Sequence, residues 1–296
     1  VFLRLSVVSI LSLSLLTVSG SVVSATPNLT EPLTIIAHKT GPLDAPFNTT
    51  QGITKAKAVN PDLKWVEIDI NFNKSNFPVA MHGSDVSEST DGTGLINSLW
   101  LSQTQNLNAA NYSPWDNITN YPQYHGKLTN ADGSQVDKLH PPYGWEFFNA
   151  AKQANVGLLL DMQVTPTEAQ ADKLYSYISN FDYLGKTIYM GSAVGTSAMK
   201  SYYPDVTTLV IEYPPADMIR SPKYLVSSGS YGYAIRFDKL SKSIVDMYHD
   251  NNLKVFTWTT DTKAMDVASN WQSVKAMGVD ALITDHHLEA QDQLIP

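Results

Sequence analysis

The residues of this chain best suited to chemistry stand at the ends of short apolar runs. In WVEIDINF, residues 65–72, Glu67 and Asp69 are two apart. Strand side chains alternate faces, so the two carboxylates project together while Val66, Ile68 and Ile70 pack on the other side. Like charges held side by side repel unless something neutralises them. A divalent cation with oxygen ligands is one solution; a solvated polar edge strand is the other. Three more runs end in the same way. Ile35-Ile36-Ala37 leads to His38, Pro78-Val79-Ala80-Met81 to His82, and Leu158-Leu159-Leu160 to Asp161. Three carboxylates without Cys or clustered His favour one hard cation, Mg or Ca, over zinc. Two imidazoles flanking a bound group suit one general base and one general acid. Such a set fits a small phosphodiester: a cation neutralises the nonbridging oxygens while the histidines manage the attacking and leaving groups.

The elements that must position these residues alternate regularly. Strands are expected near 35, 66, 157, 187, 207, 232, 254 and 280, and helices follow most of them. Among these helices are 48–59, 144–155, 165–181 (Thr165-Pro166 as N-cap and first residue), 193–202, 240–251 and 265–277. Pro78–His82 follows the second strand after only six residues, too few for a parallel crossover, so it returns as a hairpin. Residues 83–142 break the rhythm and read as a loop-rich insertion with one helix at 101–109. Trp100, Tyr112, Trp115, Tyr121, Tyr124 and Tyr143 there suit either a cover over a site or the underside of a loop. Eight buried strands with covering helices predict an α/β fold, a closed (β/α)8 TIM barrel with an insertion after the second-strand hairpin. In that fold chemistry sits at the C-terminal strand ends. These carry His38, Glu67 and Asp69, Asp161 with Gln163, Glu212, Arg236, Trp258 and Asp285. An open doubly wound sheet would need a glycine fingerprint after the first strand, and none is present.

Composition narrows the classes. The chain has 296 residues, no Cys and a net charge of −8, which leaves no disulfide framework, no thiolate chemistry and no basic footprint for nucleic acid. Arg4 is the only charge before Glu31. A Ser-rich apolar run follows it to about Val18, then Val23-Ser24-Ala25. This is the pattern of a secretory signal, with the cut expected after Ala25 and a phosphodiesterase domain over 26–296. No later stretch is long and apolar enough to cross a bilayer. The expectation is a secreted protein without stable membrane insertion. Asn28, Asn48, Asn73 and Asn117 lie in N-glycosylation triplets, which matter only in a eukaryotic secretory host.

IAHKTGPLDAPFNT, WVEIDINFNKSNFPVAMHGS and STDGTG, with VFTWTTD and GVDALITD near the other end, resemble the glycerophosphodiester phosphodiesterase family. The similarity covers most of 33–110 and 230–286, in spacing as well as letters, whereas 111–230 matches only in rhythm. It implies the barrel, His38 and His82 as the general acid/base pair, and metal binding by Glu67, Asp69 and the acid of the third strand. It also implies that Trp258 lines the glycerol or leaving-group side. The departures are specific. Lys39 stands for the family Arg, which clamps phosphate bidentately as an ammonium does not. Phe47 stands for a Glu. Asp161-Met162-Gln163 replaces Glu-Ile-Lys, so Gln163 offers a neutral donor where the family has a phosphate-facing Lys. Arg236 is a candidate to restore positive charge. Two other readings remain open here: a phospholipase D-like enzyme cleaving lysophospholipid or sphingolipid headgroups, and a barrel that binds without turnover.

Overall fold

The computed structural model describes residues 27, 29, 32–109, 128–129, 135–136, 139–212 and 219–295. The strands are β1 (Thr34–Ala37), β2 (Trp65–Phe72), β3 (Pro78–Ala80), β4 (Leu128–Thr129), β5 (Gln135–Val136), β6 (Gly157–Met162), β7 (Thr187–Gly191), β8 (Thr208–Ile211), β9 (Gly232–Arg236), β10 (Lys254–Trp258) and β11 (Ala281–Thr284). The helices are α1 (Thr50–Val59), α2 (Leu101–Thr104), α3 (Gly144–Ala154), α4 (Glu168–Asn180), α5 (Ala193–Tyr202), α6 (Pro222–Ser227), α7 (Lys242–His249), α8 (Ala268–Met277) and α9 (His287–Leu294).

Eight parallel strands run in the order β1-β11-β10-β9-β8-β7-β6-β2, and β1 pairs again with β2, so the sheet closes into a (β/α)8 barrel. β3 is the antiparallel return from β2, with Ile70 opposite Ala80. It brings the chain back to the barrel rim, where Met81 N–H donates to Asp69 O at 2.9 Å.

The two-residue period of the strands sorts the core. Ile36, Trp65, Leu159, Ile188, Met190, Leu209, Ile211, Phe256, Trp258 and Ile283 fill the barrel interior. Val66, Ile68, Ile70, Leu158 and Leu160 face outward against α1, α3 and α4. A second outer cluster, including Val245, Tyr248, Trp271 and Leu294, seats α7, α8 and α9. Glu67 and Asp69 share the inward parity of Trp65, which is how an apolar strand delivers two acids to the barrel mouth.

Several sequence expectations are corrected. α4 begins at Glu168, because Thr167 rather than Thr165 is the N-cap: its side chain accepts from Gln170 N–H, and Gln170 Oε1 accepts from Thr167 N–H at 2.9 Å. The helix expected at 101–109 stops at Thr104 and continues as turns. α6 and α9 were not anticipated; both are short and carry weak apolar periodicity. Of the insertion's aromatics, Tyr143 meets Phe77 edge-on and Trp100 is half exposed beside the Lys74 ammonium. Tyr112, Trp115, Tyr121 and Tyr124, like Asn28, Asn117 and the signal segment 1–25, lie outside the described residues. Asn48 and Asn73 are buried, which closes them to glycosylation in the folded protein. Among the described residues no helix is long and apolar enough to cross a membrane.

Candidate active site

A cavity of about 800 Å³ opens at the C-terminal ends of the strands and is lined by His38, Lys39, Glu67, Asp69, His82, Asp161, Trp258 and Asp285, among others. Its acidic centre follows from strand register. Asp69 on β2 is the direct neighbour of Asp161 on β6, and Glu67 sits one inward position below Asp69. One oxygen from each of the three carboxylates lies within 4.8 Å of the others.

Glu67 and Asp69 are held in place. Lys39 N–H donates to Glu67 Oε2 at 2.6 Å. Asn48 Nδ2 donates to Asp69 Oδ2 at 2.7 Å, Asp69 N–H donates back to Asn48 Oδ1 at 3.0 Å, and Gln163 Nε2 donates to Asp69 Oδ1 at 2.9 Å. Glu67 Oε1 is buried with no hydrogen-bond partner. Burial, then the charges of Asp69 and Asp161, push the Glu67 carboxyl well above the usual carboxylate range. Clustered hard oxygen donors, one of them an orphaned buried oxygen, fit a divalent cation.

The two histidines flank this centre. His38 Nδ1 lies 2.7 Å from Asp285 Oδ1 and its Nε2 is 3.5 Å from Thr260 Oγ1. Burial works to raise the Asp285 carboxyl, but the charge and hydrogen bond of His38 outweigh it and leave the group below its usual range. His82 lies across the cavity with Nδ1 3.8 Å from Glu88 Oε2, and burial lowers its proton affinity. The loop after β1 supplies much of the rest in a tense conformation: Lys39, Thr40 and Gly41 have φ of 44°, 67° and 89°. For each of the two non-glycine residues that costs about 1–2 kcal/mol.

Residues 38–289 match the sequence pattern of the Glycerophosphoryl diester phosphodiesterase family. The chain belongs to this family. As a family member it is a phosphoric diester hydrolase, and the reading of a barrel that binds without turnover is set aside. YhdW of Bacillus subtilis is 21% identical over 255 residues, 85% of this chain and 94% of its own. Human glycerophosphodiester phosphodiesterase 1 is 41% identical over 78 residues, 26% of this chain and 23% of the human protein. The chain also superimposes on a phosphodiesterase of Oleispira antarctica solved with the product sn-glycerol-3-phosphate: TM-score 0.72, 19% identity, 90% of this chain and 98% of that one. A glycerophosphodiester phosphodiesterase of Agrobacterium tumefaciens gives a TM-score of 0.65 at 13% identity over 86% of this chain and 97% of that one.

The departures from the family pattern now have locations. The Lys39 ammonium lies 5.5 Å from the centre of the buried Phe47 ring, so Phe47 serves as a cation–π platform where the family has a carboxylate. Gln163 turns its amide to Asp69 and orients that acid. Arg236 does not line the cavity; its guanidinium is taken by Asp238 at 2.6 Å and Asp261 at 3.4 Å. Trp258 lines the wall, its indole N–H donating to Asp261 Oδ1 at 2.8 Å.

Sequence reasoning passed over Asn48 and Asp285 as site residues. Asn48 was visible only as a helix start and a glycosylation triplet, and Asp285 only as one strand end among several. Asp266 was missed altogether: it is buried and gathers Thr259, Thr284, Trp271 and the Asp285 N–H, bracing the turn that holds Asp285. A lone Asp in a polar loop carries no local signal of that role.

Proposed function

We propose that the chain hydrolyses glycerophosphodiesters to glycerol 3-phosphate and an alcohol, using His38 and His82 as a general acid/base pair. The observation that carries this is the three-carboxylate cluster standing in one cavity with both imidazoles. Glu67, Asp69 and Asp161 would hold one divalent cation, Mg or Ca. Such an ion, when bound, neutralises nonbridging phosphate oxygens. The chain's own groups do the rest. Lys39 adds positive charge at the cavity wall. Asp285 holds the His38 ring through Nδ1, leaving Nε2 toward the cavity. One imidazole takes the proton of the attacking water while the other returns a proton to the departing alcohol oxygen, so that the P–O bond to the alcohol breaks as the new P–O bond forms. Trp258 packs against the glycerol or alcohol. The signal-like N-terminal run supports a secreted enzyme.

A second reading rests on the apolar part of the cavity wall, formed by Met190, Ile211, Trp258 and Ile283. That wall suits an acyl-bearing phosphodiester, with headgroup release from a lysophospholipid. The test is one assay series. Glycerophosphocholine, glycerophosphoethanolamine and a lysophospholipid are offered with Mg, Ca, Mn or EDTA. Cation-dependent release of glycerol 3-phosphate from the first two is the expected result. Turnover of the lysophospholipid alone, or a cyclic phosphate product, would favour the second reading.

A further inference from the structure

The β1–α1 loop, residues 38–49, presents His38 to the cavity, the Lys39 N–H to Glu67 and Asn48 to Asp69. It does so through three successive left-handed residues, a conformation that persists only where its surroundings over-determine it. Part of that restraint is internal. Gly41 N–H donates to His38 O at 2.8 Å, and Asn48 N–H to Lys39 O at 2.9 Å. From outside, β2 holds the loop through Glu67 and Asp69, and the turn between β11 and α9 adds a second hold. Asp285 grips the His38 ring. Two residues on, His287 is buried at 2% exposure, with Nε2 2.7 Å from Asp44 Oδ2. Its Nδ1 lies 3.5 Å from Asn60 Nδ2, and Asn60 Nδ2 also donates to His287 O at 3.3 Å. The Asn60 NH2 group can only donate, so Nδ1 accepts and Nε2–H donates to Asp44. His287 is therefore fixed between α1 and the loop. The fit at Gly41 is close: an added Cβ there would stand 2.9 Å from Ala56 Cβ and 3.4 Å from His287 Nε2.

We propose that His287 and Asp44 form a latch that positions the β1–α1 loop, so that His287 is a positioning residue for the reaction without touching substrate. The inference rests on the two-histidine reading of the cavity. Releasing the latch lets residues 39–44 relax toward ordinary backbone, which displaces His38 and the Lys39 N–H together. Misplacement of catalytic groups by about 1 Å costs on the order of 10²-fold in rate.

The experiment compares wild type with His287→Ala, His287→Gln, Asp44→Ala, the double alanine variant and Val274→Ala. The last is a buried core truncation in α8. For each, kcat and KM on glycerophosphocholine, the Tm and the His38 imidazole N–H signal by NMR are measured. The expected result is a kcat loss of about tenfold to hundredfold in both single alanine variants with KM within about twofold. The double variant should be no worse than either single one. His287→Gln keeps an N–H donor toward Asp44 and should recover most of the rate. Should His287→Ala not fold, Asp44→Ala, at the partly exposed end of the pair, carries the same test. An unchanged kcat, a loss that Val274→Ala reproduces at equal Tm, or no recovery in His287→Gln overturns the latch. A wild type silent on every glycerophosphodiester, with the His38 signal still displaced in His287→Ala, overturns the reaction reading and keeps the latch.

Discussion

Two arcs of one barrel mouth use charge in opposite ways. Along β2 and β6, carboxylates face one another: Glu67, Asp69 and Asp161 converge, with a buried Glu67 oxygen unanswered. Along β8, β9 and β10, each strand-end charge is met by the protein itself. Glu212 is bound by Arg220, and Arg236 by Asp238 and Asp261. The cavity wall on these strands includes the apolar Ile211 and Trp258. Residue type and strand-end position are the same in both arcs, so neither marks a site by itself. An acid neutralised by a neighbouring guanidinium has no electrostatic need of a ligand, whereas acids crowded together, as Glu67 is by Asp69 and Asp161, do.

The sharpest way to break this contrast is to chelate divalent cations or to change one of the three acids. EDTA, or Glu67→Gln, should lower glycerol 3-phosphate release on the order of 10³-fold; an active enzyme in EDTA would show that the acidic arc is not a metal centre. His38→Ala and His82→Ala come next, each expected to lose about 10²–10⁴-fold in kcat. Hydrolysis retained by both would remove the acid/base pair.

A third effect is on stability, and its sign follows from proton binding. The folded state holds the Glu67 proton more tightly than the unfolded chain, so it binds more protons in the window above the ordinary value of 4.5. Stability in EDTA therefore falls as pH rises from about 4.5 through the raised folded-state value. A Tm decline of a few degrees over that window, flattened by Glu67→Gln and reversed by added Mg or Ca, is expected in thermal melts. The smallest effect belongs to the paired arc: Arg236→Ala, on an exposed ion-pair network, should change kcat/KM by less than about threefold. A loss as large as that of a histidine variant would return Arg236 to the phosphate.

How legible the site was depended on how local its logic is. That Glu67, Asp69, His38, His82 and Asp161 meet at one cavity could be read because strand periodicity and strand ends are written in consecutive residues. Gln163 and Arg236 could not be read correctly from position alone. Where their side chains point depends on Asp69 in one case, and on Asp238 and Asp261 in the other. The helix boundary at 167 was misplaced because two threonines and a proline offer rival caps. The choice between them lies in which hydroxyl reaches the third amide.

The sequence alone determined the eight alternating strand and helix units, the hairpin return that brings His82 to the rim, and the family, because each depends on spacing along the chain. Only the tertiary structure decided which charges are neutralised and which remain for a ligand. It alone joined Asp285 to His38 and His287 to Asp44, pairs separated by 247 and 243 residues. Barrel closure makes β11 the neighbour of β1. The last turn of the chain can thereby hold the first loop of the site, a proximity that no local pattern records.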